Sequence, residues 1–164
     1  MEYNTKRVRA ATDELVKMQG ESRLEAEKAI VAITGRLRAA VEPQSLRLPN
    51  LGTSRSSWRG VRVGTKNPAE PLPLPRGDRT GDGREVLCID RFGHLVFARL
   101  RADMSLVERS LRFDEIRAEW AEDVAEAVCA AIDYHLEGCD RAMVRYADLA
   151  RLSQRLQAAL TEED

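Results

Sequence analysis

Aromatic residues, cysteines and long apolar runs are all scarce in this 164-residue chain. Phe, Tyr and Trp together make up 5% of the residues, which disfavours a deep aromatic-lined ligand cavity. The cysteines, Cys88, Cys129 and Cys139, are odd in number and form no Cys-x-x-Cys pair, so neither a disulfide framework nor a zinc site is predicted. The longest hydrophobic run, 127–132, is far shorter than the roughly 20 residues that a membrane-spanning helix needs. We therefore expect a cytoplasmic protein without a membrane span, a metal or a cofactor.

Candidate catalytic groups are also few, because the chain has only two histidines, His94 and His135. His94 follows Asp90 by four residues, which could place a general base beside an orienting carboxylate. The sequence places no serine or cysteine beside this pair as a nucleophile. His135 and Cys139 are also four residues apart, but two ligands fall short of the four that structural zinc requires. No catalytic or metal-binding residue is therefore assigned, and a small hydrolase or nuclease centred on His94 is kept as an alternative function.

Proline and glycine divide the chain. All six prolines and six of the ten glycines fall within residues 43–83, which excludes a helix there. A connection of this length usually serves as a functional arm or a linker, and we name it the strap. It separates an N-terminal helical segment, 1–42, from a segment that holds a β-hairpin and C-terminal helices, 84–164. We expect the two flanking segments to form one compact unit.

The basic character of the chain is concentrated in and just beyond the strap. Residues 43–102 hold 11 basic and 5 acidic residues, whereas residues 103–164 hold 7 and 15. A run without any acidic residue combines five cations with a tryptophan, and these are the candidate binding residues: Arg47, Arg55, Trp58, Arg59, Arg62 and Lys66. Guanidinium groups beside a stacking aromatic can follow a phosphate chain, but the same cations complement the acidic helices of this chain or of a neighbouring subunit. The strap is therefore predicted to bind a protein partner or an identical subunit, with nucleic acid as the alternative.

Apolar residues at three- and four-residue spacing predict helices before the strap. Gly20 interrupts this stripe, and Ser22 and Glu25 match a capping box, in which each residue satisfies a backbone N–H of the other. Two helices, about 5–19 and 22–41, are therefore expected, with one kinked helix as the alternative.

A second capping-box match, Ser105 with Glu108, predicts a short helix. A longer helical stripe that begins near Phe113 should end at Gly138, a typical C-terminal signal, and a final helix is expected over about 140–160. The final helix carries one stripe: Ala142, Tyr146, Leu149, Leu156 and Leu160, with Ser153 as its polar member. This spacing suits either packing within the chain or a coiled-coil-like dimer seam.

Two β-prone runs, 85–89 and 94–100, flank the turn sequence Asp90-Arg91-Phe92-Gly93 and predict a β-hairpin. Because both runs are apolar on both alternating faces, something must cover each face of the sheet, either from this chain or from a second subunit. A third strand is expected around 58–64. The predicted fold is α+β: mainly helical, with a small antiparallel sheet, N-terminal helices, a C-terminal helical hairpin and the strap. These features predict a non-catalytic interaction, assembly or regulatory subunit.

Overall fold

Two long helices and a four-stranded antiparallel sheet make up the fold, which is therefore α+β. The computed structural model describes residues 5–41, 44–52, 57–74 and 84–161, and the side chains of Thr5, Phe113, Leu156 and residues 159–161 are outside that description. In chain order the elements are α1 (Thr5–Val41), β1 (Gly60–Arg62), β2 (Val86–Asp90), β3 (Leu95–Leu100), β4 (Leu106–Ser110), two 3-10 turns (Phe113–Glu115 and Ala118–Trp120) and α2 (Ala121–Thr161).

The strands lie in the order β1-β2-β3-β4, and each neighbouring pair is antiparallel. β2 and β3 form from the two β-prone runs and are joined by a turn that begins at Asp90. One carboxylate oxygen of Asp90 accepts hydrogen bonds from the backbone N–H groups of Phe92 and His94, both at 2.8 Å. Gly93 has a φ of 75°, so it occupies the left-handed position of the turn. The third strand, β1, pairs with β2 and lies within the region expected from the sequence.

The predicted short helix at Ser105 is wrong, because this region forms β4, where Leu106 pairs with Leu100 of β3. Asp103 caps a turn here instead. Its Oδ1 accepts hydrogen bonds from the Ser105 hydroxyl and the Ser105 N–H, at 2.6 and 2.9 Å, and these bonds hold the pKa of Asp103 below its usual value. The Ser105 hydroxyl therefore bonds a carboxylate and not a helix N–H, and its spacing from Glu108 starts no helix where a strand is available for pairing.

α1 is one continuous helix, so the prediction of two helices that meet near Gly20 is wrong. Nothing lies within 4 Å of the position that a Cβ would take at Gly20, and no neighbouring element forces a break there. Lys17 and Glu21, one turn apart across this region, form an ion pair of 3.9 Å. A glycine inside a helix costs only about 1 kcal/mol relative to alanine, which is less than the backbone hydrogen bonds that a break would remove.

α2 is likewise one helix, so the predicted helical hairpin with a stop at Gly138 is wrong. Gly138 is the place where the strap crosses the helix. A Cβ at Gly138 would lie 3.3 Å from Arg47 Cδ, and Arg47 Nη1 donates to the Gly138 carbonyl oxygen at 3.2 Å. The glycine therefore makes room for a neighbouring side chain. The sequence alone does not distinguish this role from that of a glycine that ends a helix.

Both faces of the sheet are covered, as its apolar strands require, and the cover comes from this chain. On one face the two helices build the larger core, which contains Ile30, Leu37, Leu46, Leu48, Val61, Ile89, Val124, Ala127, Val128 and Ala131. On the other face two strap residues, Leu51 and Leu72, form a core with Cys88, Val96, Ala98 and Leu100. The Leu72 N–H donates to the Leu51 carbonyl oxygen at 2.8 Å, so the strap is hydrogen-bonded to itself where it crosses the sheet.

The sheet and its two cores form the body of the fold. Each long helix packs on this body along only part of its length. Ile30 of α1 lies near the start of α2, because it lines the same hollow as Ile116, which precedes α2. The segment that follows α1 lies further along α2, because the Arg47 N–H donates to His135 at 3.0 Å. The two helices therefore run in the same direction through the core. Their remaining parts, the α1 arm (residues 6–25) and the α2 arm (residues 140–158), leave the body at opposite ends.

Candidate protein-interaction surface

Two of the basic strap residues predicted as a binding site contact their own chain. The Arg47 N–H donates to His135 Nδ1 at 3.0 Å, and its guanidinium group donates to the Gly138 carbonyl. Arg62 Nη1 lies 3.4 Å from Glu70 Oε2, within the strap. Arg47 thus anchors the strap on the acidic C-terminal helix, through an imidazole and a backbone carbonyl.

The other predicted strap residues are placed apart from Arg47. Trp58 and Arg59 are half-buried beside β1, where they line a hollow next to the hairpin turn. Lys66 is exposed beyond β1, and Arg55 lies outside the described residues. In the described part of the chain Arg47, Arg59 and Lys66 have no carboxylate partner, whereas Arg62 has Glu70. A phosphate chain would meet only part of the predicted site.

His94 and Asp90 meet, as their spacing suggests: His94 Nδ1 lies 3.2 Å from Asp90 Oδ2. The other oxygen of this carboxylate caps the hairpin turn. Among the described residues Asp90 is the one hydrogen-bond partner of the imidazole, so no hydroxyl or thiol is held there for activation. Burial, and then the charge of Asp90, raises the pKa of the nearby Glu108. The His94–Asp90 pair is explained by the turn that it stabilises.

The cysteines occupy different environments. Cys88 is fully buried in β2, and burial raises the pKa of its thiol to about 12. Cys139 Sγ lies 3.7 Å from His135 Nε2. Because His135 Nδ1 accepts the Arg47 N–H, the neutral imidazole carries its proton on Nε2 and cannot take one from the thiol. Across the described ranges, no three potential metal ligands cluster together.

A cluster around Arg109 fixes the start of α2 against the sheet. Arg109, on β4, bonds Glu115 at 2.8 Å and Glu85 at 3.2 Å. The hydrogen bonds to Glu115 and Glu85 raise the pKa of Arg109, and the bond from Arg109 lowers the pKa of Glu115. The guanidinium carbon also lies 4.5 Å above the Phe97 ring, which meets the ring of Trp120 edge-on. Trp120 immediately precedes α2, so this cluster sets where the helix leaves the sheet.

The α2 arm carries an apolar stripe that no residue of the described ranges covers. Apolar residues on or beside the stripe are exposed by half or more: Met143, Tyr146, Leu149 and Leu152. At 100° per residue the stripe continues the face that α2 buries against the body at Val124 and Ala131. The helix therefore keeps one apolar face along its length, and the body covers only the first half of it.

Charged side chains of the α2 arm lie on the opposite face. By helical geometry, five of them point away from the stripe, as does Glu137 just before the arm: Asp140, Arg141, Asp148, Arg151 and Arg155. Two ion pairs form along this outer face, Arg141–Glu137 at 3.5 Å and Arg151–Asp148 at 3.6 Å. Arg145 alone borders the stripe. This segregation is typical of a helix that packs against another apolar surface.

The α1 arm has a narrower apolar stripe. Every residue from 6 to 25 is exposed, and Val8, Ala11, Leu15 and Met18 follow one another at three- and four-residue spacing. Ser22 is the next member of this stripe. Its 3.6-residue period predicts a helix but is the same whether the stripe is buried or exposed, so the sequence alone did not identify this stripe as a surface.

An apolar groove separates the packed halves of the two helices. It has a volume of 690 Å³, and its walls include Ile33 and Val41 of α1 and Ile132 and Leu136 of α2. Ile132 and Leu136 are exposed and lie on the side of α2 that continues towards Met143. The groove thus joins the edge of the α2 stripe at the point where the arm leaves the body.

No protein-family model, curated protein or solved structure matches this chain. None of the helices in the described ranges combines the length and the apolar character needed to span a bilayer.

Proposed function

We propose that this protein is a non-catalytic assembly subunit that binds other protein chains through its helical arms. The observation that carries the proposal is the exposed apolar stripe of the α2 arm, which continues a buried face of the same helix. The strap, which the sequence favoured as the contact, has a different part in this proposal: it supports the sheet through Leu51 and Leu72.

The stability of isolated helices supports this function. A helix of about 20 residues without tertiary packing is only marginally stable in water, and both arms are of that size. Burying a half-exposed Leu or Met side chain contributes roughly 1 kcal/mol, so a partner helix laid along the stripe stabilises the arm as it binds. The sheet and its cores then fix the direction in which each arm leaves the body.

Amide hydrogen exchange on the dilute monomer tests the proposal. Amides of the two arms should exchange orders of magnitude faster than those of β2 and β3, because the arms lack packing in the absence of a partner. The core strands serve as the internal control. Arm amides that are protected as strongly as β2 and β3 in a chain of monomer mass would show that the arms need no partner, and the proposal would be abandoned.

A further inference from the structure

We infer that the groove between α1 and α2 binds a straight-chain carboxylate, with the acid group on Arg36 and the alkyl chain along the apolar walls. The groove has a volume of 690 Å³, within the roughly 300–1,000 Å³ that small-molecule sites occupy. It lies between the packed halves of the two helices, whereas the proposed function rests on the arms. The inference therefore adds a ligand site that is separate from protein binding.

Both ends of the groove are set by contacts within the chain. At one end α1 and α2 meet at Ile30 and Val124, which belong to the same core and are 1% and 0% exposed. At the other end the strap crosses, and its residues Gln44 and Leu46 line the groove. On α1 the lining runs from Ile33 to 41, a rise of about 12 Å. The lining on α2, from 128 to 136, has the same length.

This length suits an extended alkyl chain better than a helix of a partner protein. A helix of about 12 Å has only about eight residues, fewer than the roughly 12–15 that an isolated helix needs for stability. An extended alkyl chain advances about 1.25 Å per carbon, because its C–C bonds of about 1.5 Å alternate in direction. A chain of about ten carbons therefore fills the groove from end to end.

The lining of the groove is aliphatic. Its floor consists of side chains of the larger core, such as Leu37 and Val128, which are 4% and 7% exposed. Its α2 wall is open to solvent, because Ile132 and Leu136 are 41% and 54% exposed. No aromatic side chain lines the groove in the described part of the chain, so a flat ring has no stacking partner. An alkyl chain covers this surface and removes apolar area from water.

Arg36 gives the groove its preference for an anion. It is exposed in the α1 wall, and no ion pair or hydrogen bond within the described residues engages its guanidinium group. The other polar lining residues, Gln44 and His135, carry N–H donors, and none of the lining residues in the described ranges is acidic. A carboxylate therefore meets a cation without an opposing charge, and guanidinium can bind both of its oxygens.

The position of Arg36 sets the direction of the ligand. Arg36 follows Ile33 by less than one turn, and helical side chains tilt towards the N-terminus. The carboxylate therefore lies at the end of the groove that is away from the strap. The alkyl chain then runs past Leu37 towards the strap, over the most apolar part of the lining.

Titration calorimetry with sodium decanoate gives the first test, on the full chain. We expect a dissociation constant between about 10 and 100 μM, from the usual efficiency of small ligands. In the series hexanoate, octanoate and decanoate, each added methylene should strengthen binding by about two- to fourfold, since it buries one more apolar group. Dodecanoate and tetradecanoate should gain no more, because their chains pass the end of the groove.

The charge of Arg36 is tested with a ligand that lacks the carboxylate. Arg36→Gln should weaken decanoate binding by at least about fivefold and leave the binding of decanol unchanged. Arg38→Gln is the matched control: Arg38 is also exposed on α1, but it lines the hollow beside Phe92 and His94. The control should bind both ligands as the native chain does.

The apolar wall is tested with Ile132→Gln, which should weaken decanoate and decanol alike by at least about tenfold. Val31→Gln is its control, because Val31 is 40% exposed, close to the 41% of Ile132, but lines a different hollow. Circular dichroism of each variant checks that the helices are intact. Both replaced side chains are partly exposed, so neither change should disturb folding.

Four outcomes overturn the inference. Absence of decanoate binding at up to about 1 mM removes the site, and affinity that keeps rising beyond twelve carbons contradicts a bounded groove. Equal loss of decanoate and decanol in Arg36→Gln, or no loss of either, removes the preference for a carboxylate. Binding that Ile132→Gln leaves intact, but Leu149→Gln weakens, places the ligand on the α2 arm. Hydrogen exchange in the arms is measured without ligand, so the proposed function stands or fails separately.

Discussion

Replacing Leu51 with alanine tests whether the strap belongs to the core of the fold. Leu51 is 0% exposed and packs on the sheet face that the helices do not cover. A buried Leu→Ala change typically costs 2–5 kcal/mol, through lost transfer free energy and the cavity that remains. We expect about 3 kcal/mol here. For a chain of this size each kcal/mol lowers Tm by roughly 2–4 °C, so the expected shift is about 6–12 °C.

Leu74→Ala provides the matched control, since Leu74 belongs to the same strap but is 60% exposed. The same side chain is removed, so effects on the unfolded chain are similar, and a surface change of this kind stays within about 0.5 kcal/mol. Thermal unfolding followed by circular dichroism, at equal protein concentration, measures both shifts. If the Tm of Leu51→Ala falls by no more than that of Leu74→Ala, the strap does not cover the sheet, and the assignment of the strap to the fold is refuted.

Other predictions follow from single residues. Gly20→Ala should stabilise α1 by up to about 1 kcal/mol, seen as higher helical ellipticity; a loss of ellipticity would contradict a continuous helix. Gly93→Ala should destabilise the hairpin by about 1–3 kcal/mol in urea unfolding. Gly93 has a φ of 75°, and a Cβ there would lie 3.1 Å from the Arg38 backbone nitrogen. An unchanged urea midpoint would argue against this turn. In the native chain a thiol reagent should modify Cys129 but not Cys88, since Cys129 is exposed and Cys88 buried; equal rates would show that β2 is not in the core. Burial raises the pKa of the folded Cys88 thiol to about 12, from an ordinary value of 9.0. The unfolded thiol therefore ionises first, and stability should fall as pH rises from 9 towards 12, a slope that Cys88→Ala should remove.

Local chemistry was enough to predict the α+β class and the strands near the hairpin. Asp90 and Gly93 are turn residues for physical reasons that act within four positions, namely a carboxylate that accepts nearby N–H groups and a backbone that tolerates positive φ. The doubly apolar runs on either side also required cover on both faces. None of these inferences depends on distant residues, which is why sequence reasoning could reach them.

Helix boundaries were predicted less well, because the signals at Gly20, Ser105 and Gly138 each have more than one cause. A glycine ends a helix when it takes a left-handed conformation. Gly138 instead accommodates the Arg47 side chain, and Gly20 lies in an exposed part of helix α1. Ser105 donates to the Asp103 carboxylate in a turn rather than capping a helix. Only contacts made by residues far away in the chain distinguish these cases.

The candidate site depended still more on tertiary structure. The sequence specified the period and the charge segregation of the last helix, since these are properties of neighbouring residues on one helix face. It could not specify how far along that helix the body extends. That limit is set by where the Arg109 cluster and the strap hold α2 against the sheet, and beyond it the same apolar stripe changes from core to exposed surface.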